Sequence, residues 1–297
     1  MPNVNANNIE IEYETFGDPN SPPLLLIIGF GCQLIFWDEE LCGRLARSGL
    51  YVIRFDNRDV GLSSKMEEAG LPDIGTLLRG EAIDPPYTIE DMADDAVGLL
   101  DALGIEKAHI CGMSMGGMIA QSVAINHPSQ VLSLISIYST TGNPELPPPT
   151  PEAMDVLLST PPVEREANIE HAIKLSRKIA GHGFPFDEKW HRNLAAAAYD
   201  RALYLEGAAR QFAAIMTQKN RKPALASVSV PTLVIHGTDD PLVSVEGGKD
   251  TAKAVPGSEL ILIDGMGHDL PHVGGAWLQI IDAIIDHVQR VDSYRPL

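Results

Sequence analysis

Short apolar runs and helical periodicities alternate along most of this chain. Ile9-Glu10-Ile11-Glu12-Tyr13 alternates with period two, the pattern of a half-buried strand. Leu24–Ile28 is a continuous apolar run between Pro22-Pro23 and Gly29, which is how a strand covered on both faces reads. Tyr51–Phe55, His109–Cys111, Val131–Ile137, Thr232–Ile235 and Leu260–Ile263 read as further strands. Helical patterns fall between them. They are Glu39–Arg47, Thr88–Leu103 with a Thr88-Ile89-Glu90-Asp91 capping box and a stop at Gly104, Ser114–Asn126, and Val273–Val288. Strands alternating with helices predict βαβ units, hence an α/β fold with a mostly parallel sheet and helices on both faces.

The alternation breaks once. Between about Thr141 and Arg221 there is no strand pattern, only a Pro147-Pro148-Pro149 linker followed by helical stretches at Pro151–Leu158, Arg165–Ala180 and Asp187–Thr217. This predicts a helical cap, residues 141–222, inserted into a core formed by residues 1–140 and 223–297 and seated over the C-terminal ends of the strands. A second segment, Lys65–Tyr87, holds Pro72, Gly75, Gly80 and Pro85-Pro86 and reads as a long irregular loop.

Composition narrows the function classes. Of 297 residues, 44% are hydrophobic and 21% charged, enough apolar content for a large core and too much for a disordered chain. The net charge of −18 argues against a nucleic-acid partner or docking on an anionic membrane. The longest apolar runs are far shorter than a membrane span. Cys32, Cys42 and Cys111 form an odd, sparse set, and the opening residues MPNVNANNIE carry no secretory signal pattern, so a cytoplasmic protein with free thiols is expected. No helix face stands out as a surplus apolar seam, which leaves the oligomeric state open.

The densest chemical signal is Gly112-Met113-Ser114-Met115-Gly116-Gly117. It follows one strand directly and opens a helix, the setting a nucleophile elbow requires. Ser114 then stands at a helix N-terminus, where free N–H groups favour developing negative charge. A serine nucleophile needs a base. Of nine histidines, His268 stands in Gly265-Met266-Gly267-His268-Asp269, a loop after the last strand, and His272 four residues on is the runner-up. A carboxylate should orient that base. Asp239 and Asp240 compete in the loop after Thr232–Ile235, with Asp240, just before Pro241, favoured. The order Ser114, Asp240, His268 is nucleophile, acid, base. Oxyanion stabilisation needs two backbone N–H groups. Met115 supplies one, and Gly29-Phe30-Gly31 the other, Phe30 first and Gly31 second. A substrate pocket is expected from Phe30, Met113, Phe184, Phe186, Trp190, Tyr204 and Phe212, since the scarce aromatics cluster in the cap. No H-E-x-x-H motif or ligand-spaced carboxylate cluster suggests a metal, and no G-x-G-x-x-G follows the first strand, so no cofactor is expected.

The Gly29–Gly31 loop, Arg54-Phe55-Asp56-Asn57-Arg58-Asp59-Val60-Gly61-Leu62-Ser63, the Gly112–Gly117 elbow, the Gly237–Asp240 loop and the Gly265–His268 loop, in that order, resemble the α/β-hydrolase superfamily. Within it the pattern is similar to bacterial carboxylesterases and the aclacinomycin-methylesterase group. One departure is Ile28, where many members carry a histidine before the oxyanion glycine. The resemblance implies a serine hydrolase of small carboxylic esters with no cofactor. It also implies that the Asp56–Ser63 segment is a structural loop whose Arg58 supports its neighbours. C–C bond hydrolases, lactonases, amidases, perhydrolases and receptor-like binders share the triad, and no sequence feature separates them.

Overall fold

The computed structural model describes residues 2–293; the outermost ends of the expected core, residue 1 and residues 294–297, lie outside the described residues. The strands are β1 (Asn3–Ala6), β2 (Ile9–Phe16), β3 (Pro23–Ile27), β4 (Tyr51–Phe55), β5 (Ala108–Met113), β6 (Val131–Ile137), β7 (Thr232–Gly237) and β8 (Glu259–Ile263). The helices are α1 (Glu39–Arg47), α2 (Ile74–Leu78), α3 (Ile89–Ala102), α4 (Met115–Asn126), α5 (Pro151–Leu158), α6 (Arg165–Ile179), α7 (Glu188–Arg201), α8 (Glu206–Met216), α9 (Lys222–Leu225), α10 (Val245–Ala254) and α11 (Ala276–Ser293). The strands form one sheet in the order β1-β2-β4-β3-β5-β6-β7-β8. β1–β2 and β2–β4 pair antiparallel, and every later pairing is parallel.

The apolar runs behave as central strands because successive side chains feed opposite faces. In β3, Leu25 and Ile27 enter the core on the α3/α4 face, while Leu24 and Leu26 enter the core on the α1/α11 face. Met92, Ala96, Leu99 and Leu100 of α3 and Ile119 and Val123 of α4 fill the first layer. Leu41 and Leu45 of α1 and Trp277, Ile280 and Ile284 of α11 fill the second. β8 closes the edge, with Leu260 and Leu262 exposed. The capping box forms at α3: Asp91 N donates to Thr88 Oγ1 (3.1 Å) and Thr88 N to Asp91 Oδ2 (2.8 Å).

Several elements differ from the sequence expectation. β1 and the short α2 were not anticipated, nor was α10. Gly247 and Gly248 in α10 are poor helix formers. A Cβ at Gly248 would come within 2.5 Å of the His236 ring, and one at Gly247 would lie 3.0 Å from the Ser139 carbonyl. The expected helix at Asp187–Thr217 is two helices, broken at Ala202–Leu205. Gln33 Nε2 donates to the α7-end carbonyls of Ala198 (2.7 Å) and Ala202 (2.8 Å), which ends α7 where the core meets it. α11 begins at Ala276 rather than Val273, since Gly274 and Gly275 have φ of 94° and 97°, outside helical space. Between β6 and β7 the described residues form helices and loops, with no strand.

Candidate active site

Ser114 sits between β5 and α4 with φ 55° and ψ −121°, a conformation strained for any residue bearing a side chain. The strain is held by close packing. A Cβ at Gly112 would lie 2.0 Å from the Gly116 carbonyl, and one at Gly116 would lie 2.1 Å from the Ile27 carbonyl. Only glycine at both positions lets α4 start hard against β3, and the strained turn presents the Ser114 hydroxyl to the space above the sheet.

Two loops at the C-terminal ends of neighbouring strands meet that hydroxyl. His268 follows β8, and its Nε2 lies 2.8 Å from Ser114 Oγ. Its Nδ1 lies 2.7 Å from Asp240 Oδ2, in the loop after β7. Asp240 Oδ1 accepts from Leu242 N (2.9 Å) and Val243 N (2.8 Å), which fixes the carboxylate's orientation. Burial pushes the Asp240 carboxyl up, but the charge of His268 and hydrogen bonds from His236 and His268 outweigh it and leave the group at about 2. Asp240 is therefore an anion at neutral pH. The Tyr138 ring packs 4.6 Å from the His268 ring, and His268 N donates to the Ile179 carbonyl at the end of α6 (2.8 Å).

The competing candidates fall elsewhere. Asp239 turns outward to within 3.4 Å of exposed His182. His272, at H-x-x-x-H spacing from His268, instead stacks on Trp190 at 3.9 Å and approaches Asp38 at 3.6 Å. Among the described residues no group of three His, Cys, Asp or Glu is placed to hold a metal ion, and no helix is long and apolar enough to cross a membrane.

The Gly29–Gly31 loop abuts the elbow: a Cβ on Gly29 would stand 3.2 Å from the Ser114 Cβ. Gly31 N is already committed, donating to Gln211 Oε1 of α8 at 2.8 Å, while Gln211 Nε2 donates to the Arg58 carbonyl at 3.0 Å. Among the described residues, neither Phe30 N nor Met115 N has an acceptor. Of the two loop donors weighed from sequence, Phe30 is thus the one left available. Gln211 had no sequence signal, because nothing local marks a polar residue on an amphipathic helix as reaching another layer.

A cavity of about 680 Å³ lies over Ser114 and His268, between the strand-end loops and α5–α8. Four of the residues expected to line it do so: Phe30, Met113, Trp190 and Tyr204. Phe184, Phe186 and Phe212 do not. Phe186 stacks on His191 at 4.3 Å beside Ile169 and Ile173 of the small core among the helices, Phe184 packs toward the α11 side, and buried Phe212 meets the Phe30 ring at 6.4 Å. Aliphatic residues replace them in the wall, among them Leu146, Met154, Leu175, Leu194 and Leu270, together with Pro147-Pro148-Pro149. Asp269 was also missed; it lies on the wall beside His268.

The Asp56–Ser63 loop ties the layers together. Arg58 clamps Asp95 of α3 at 2.6 and 2.7 Å. Asp56 receives Arg201 of α7 at 2.7 Å, and Asp59 receives Arg210 of α8 at 2.8 and 3.0 Å.

A family model described as the alpha/beta hydrolase fold matches residues 22–274. The chain is similar to rhodomycin D methylesterase of Streptomyces sp. strain C5, 29% identical over 287 residues that span 90% of this chain and 92% of the relative. It is similar to 3-oxoadipate enol-lactonase 2 of Acinetobacter baylyi, 25% identical over 269 residues, 88% of this chain and 87% of the relative. In structure it resembles the meta-cleavage product hydrolase of Pseudomonas fluorescens IP01, with a TM-score of 0.74 at 19% identity and 98% of each chain covered.

Proposed function

Since the chain belongs to the alpha/beta hydrolase fold family, we propose that it is a serine carboxylesterase acting on neutral small-molecule esters, methyl esters among them, from under a helical cap. The observation that carries this reading is the unbroken contact series Asp240–His268–Ser114 at 2.7 and 2.8 Å.

In the proposed mechanism His268 Nε2 takes the Ser114 proton as Oγ attacks the ester carbonyl. Anionic Asp240 holds Nδ1–H and stabilises the imidazolium. The N–H groups of Phe30 and Met115 receive the oxyanion, each contributing on the order of 10²–10³ in rate. His268 then gives its proton to the leaving alcohol. Water repeats the sequence on the acyl-enzyme and releases the carboxylic acid. Metal and cofactor have no step in this scheme.

The wall supports an ester over the other substrates of the fold. Among the described lining residues there is no Lys or Arg, so an anionic substrate meets no counter-charge. The enol-lactonase relative is named for a carboxylate, 3-oxoadipate, whereas the methylesterase relative is named for hydrolysis of a methyl ester. A cavity of about 680 Å³ also suits a substrate of drug-like size rather than a short aliphatic one. The test is a panel of neutral methyl and p-nitrophenyl esters run beside 1,3-diketones on wild type and Ser114→Ala. Ester turnover that depends on Ser114, with no diketone cleavage, is expected. Diketone cleavage ahead of ester hydrolysis would transfer the protein to C–C bond chemistry.

A further inference from the structure

We infer that Asp269 makes the cavity selective by charge, so that it takes neutral esters and turns away substrates carrying a carboxylate near the scissile bond. The inference rests on the hydrolase reading above and names the substrate class within it.

Asp269 directly follows His268 and lies on the cavity wall. Its Oδ1 is buried and, among the described residues, has no hydrogen-bond partner. The N–H groups of Gly267 and of Gly181, beyond α6, face the carboxyl, and no Lys or Arg pairs with it among the described ion pairs. The wall's other acid, Asp59, is in a different state: Arg210 neutralises it through two hydrogen bonds. Buried polar atoms are almost always paired, so this carboxyl is unusual, and because its Oδ1 has no contact with solvent it acts on a ligand through its charge rather than by touching it. Burial pushes the Asp269 carboxyl up to about 6, with Asp240 adding to the rise and His268 opposing it. The group is therefore mostly an anion at neutral pH.

The consequence is electrostatic. A ligand carboxylate beside His268 would place a second negative charge near Asp269 in an apolar cavity with no Lys or Arg on its wall, where repulsion is little screened. A neutral ester escapes that cost. The reaction also changes the ligand's charge: ester and water give alcohol, a carboxylate and a proton. The same side chain that admits the ester therefore expels the acid once it forms.

The experiment compares two esters of matched shape, p-nitrophenyl 4-methylpentanoate and the mono-p-nitrophenyl ester of succinic acid. Selectivity is read as the ratio of their kcat/KM values, so that any loss common to both cancels. Wild type favours the neutral ester, and Asp269→Asn, with Asp269→Ser as a second variant, shrinks the ratio by about tenfold or more. Asp264→Asn makes the same charge change in the same loop at an exposed acid outside the wall, and it leaves the ratio unmoved. An unchanged ratio in both Asp269 variants would overturn the inference. So would an equal change in Asp264→Asn, which would assign the effect to the overall charge of −18. Turnover that survives Ser114→Ala would instead overturn the hydrolase reading beneath it.

Discussion

Replacing Gln211 with methionine tests whether α8 holds the proposed oxyanion loop, Gly29–Gly31, in place. The side chain is 1% exposed and bridges two strand-end loops, accepting from Gly31 N at 2.8 Å and donating to the Arg58 carbonyl at 3.0 Å. Methionine keeps the volume and removes both bonds. The Arg58 carbonyl is left unpaired in a buried setting, while exposed Gly31 can turn its N–H to water, so the fold should lose roughly 1–3 kcal/mol. The catalytic effect has its own bound. If Gly31 is released, the neighbouring Phe30 N–H loses its fixed direction, and a lost oxyanion donor costs at most on the order of 10²–10³ in kcat. A fall of about 10- to 100-fold is expected, since the loop is loosened rather than removed. Steady-state kinetics on a p-nitrophenyl ester, with a thermal melt of the same protein, read both effects. The kcat should fall further than KM changes, because the donor acts on the transition state. Gln211→Glu retains an acceptor for Gly31 N and should lie between wild type and Gln211→Met. A kcat within twofold of wild type in Gln211→Met, with the melting temperature lowered, would refute the idea that this bond preorganises the loop.

The acid of the site should respond to substitution as its contacts direct. Asp240→Asn should lower kcat by about 10⁴, by leaving His268 in the wrong tautomer, while outward-facing Asp239→Asn should stay within a few-fold of wild type. Because the Asp240 carboxyl is held down at about 2, below its usual value, the stability it contributes is complete above about pH 4 and is lost as the pH falls toward 2. An acid-unfolding titration should show that loss in wild type and lack it in Asp240→Asn. Arg210→Met leaves Asp59 charged and buried without its partner, both groups being 0% exposed. That should cost about 3–5 kcal/mol and lower the melting temperature by on the order of 10 °C, which differential scanning calorimetry reads directly.

The sheet was legible because its strands are of the kind sequence shows well. Leu24–Ile28 is apolar without interruption and Val131–Ile137 is broken only by the small residues Ser133 and Ser136, as a strand covered on both faces should look. The elbow was legible because its strain has a local signature, two glycines flanking a serine between a strand and a helix. What stayed hidden depends on contacts between distant segments. Helix α10 carries Gly248 to clear the His236 ring of β7 and Gly247 to clear the Ser139 carbonyl beyond β6, and so looked unlike a helix. Three phenylalanines looked like pocket residues by composition, yet two of them pack away from the cavity and Phe212 is buried against Phe30. Gln211 and Asp269 are single polar residues whose meaning lies in what another layer places against them. The split of the expected Asp187–Thr217 helix likewise depends on Gln33, more than 160 positions away along the chain.

The central claim is that Ser114 is the nucleophile. Wild-type protein treated with a fluorophosphonate, digested and mapped by mass spectrometry tests it most directly. A single phosphonyl group on Ser114, formed in parallel with loss of esterase activity and absent from Ser114→Ala, is the predicted result. Inactivation with the label on another residue, or esterase activity that persists after Ser114 is fully labelled, would contradict it.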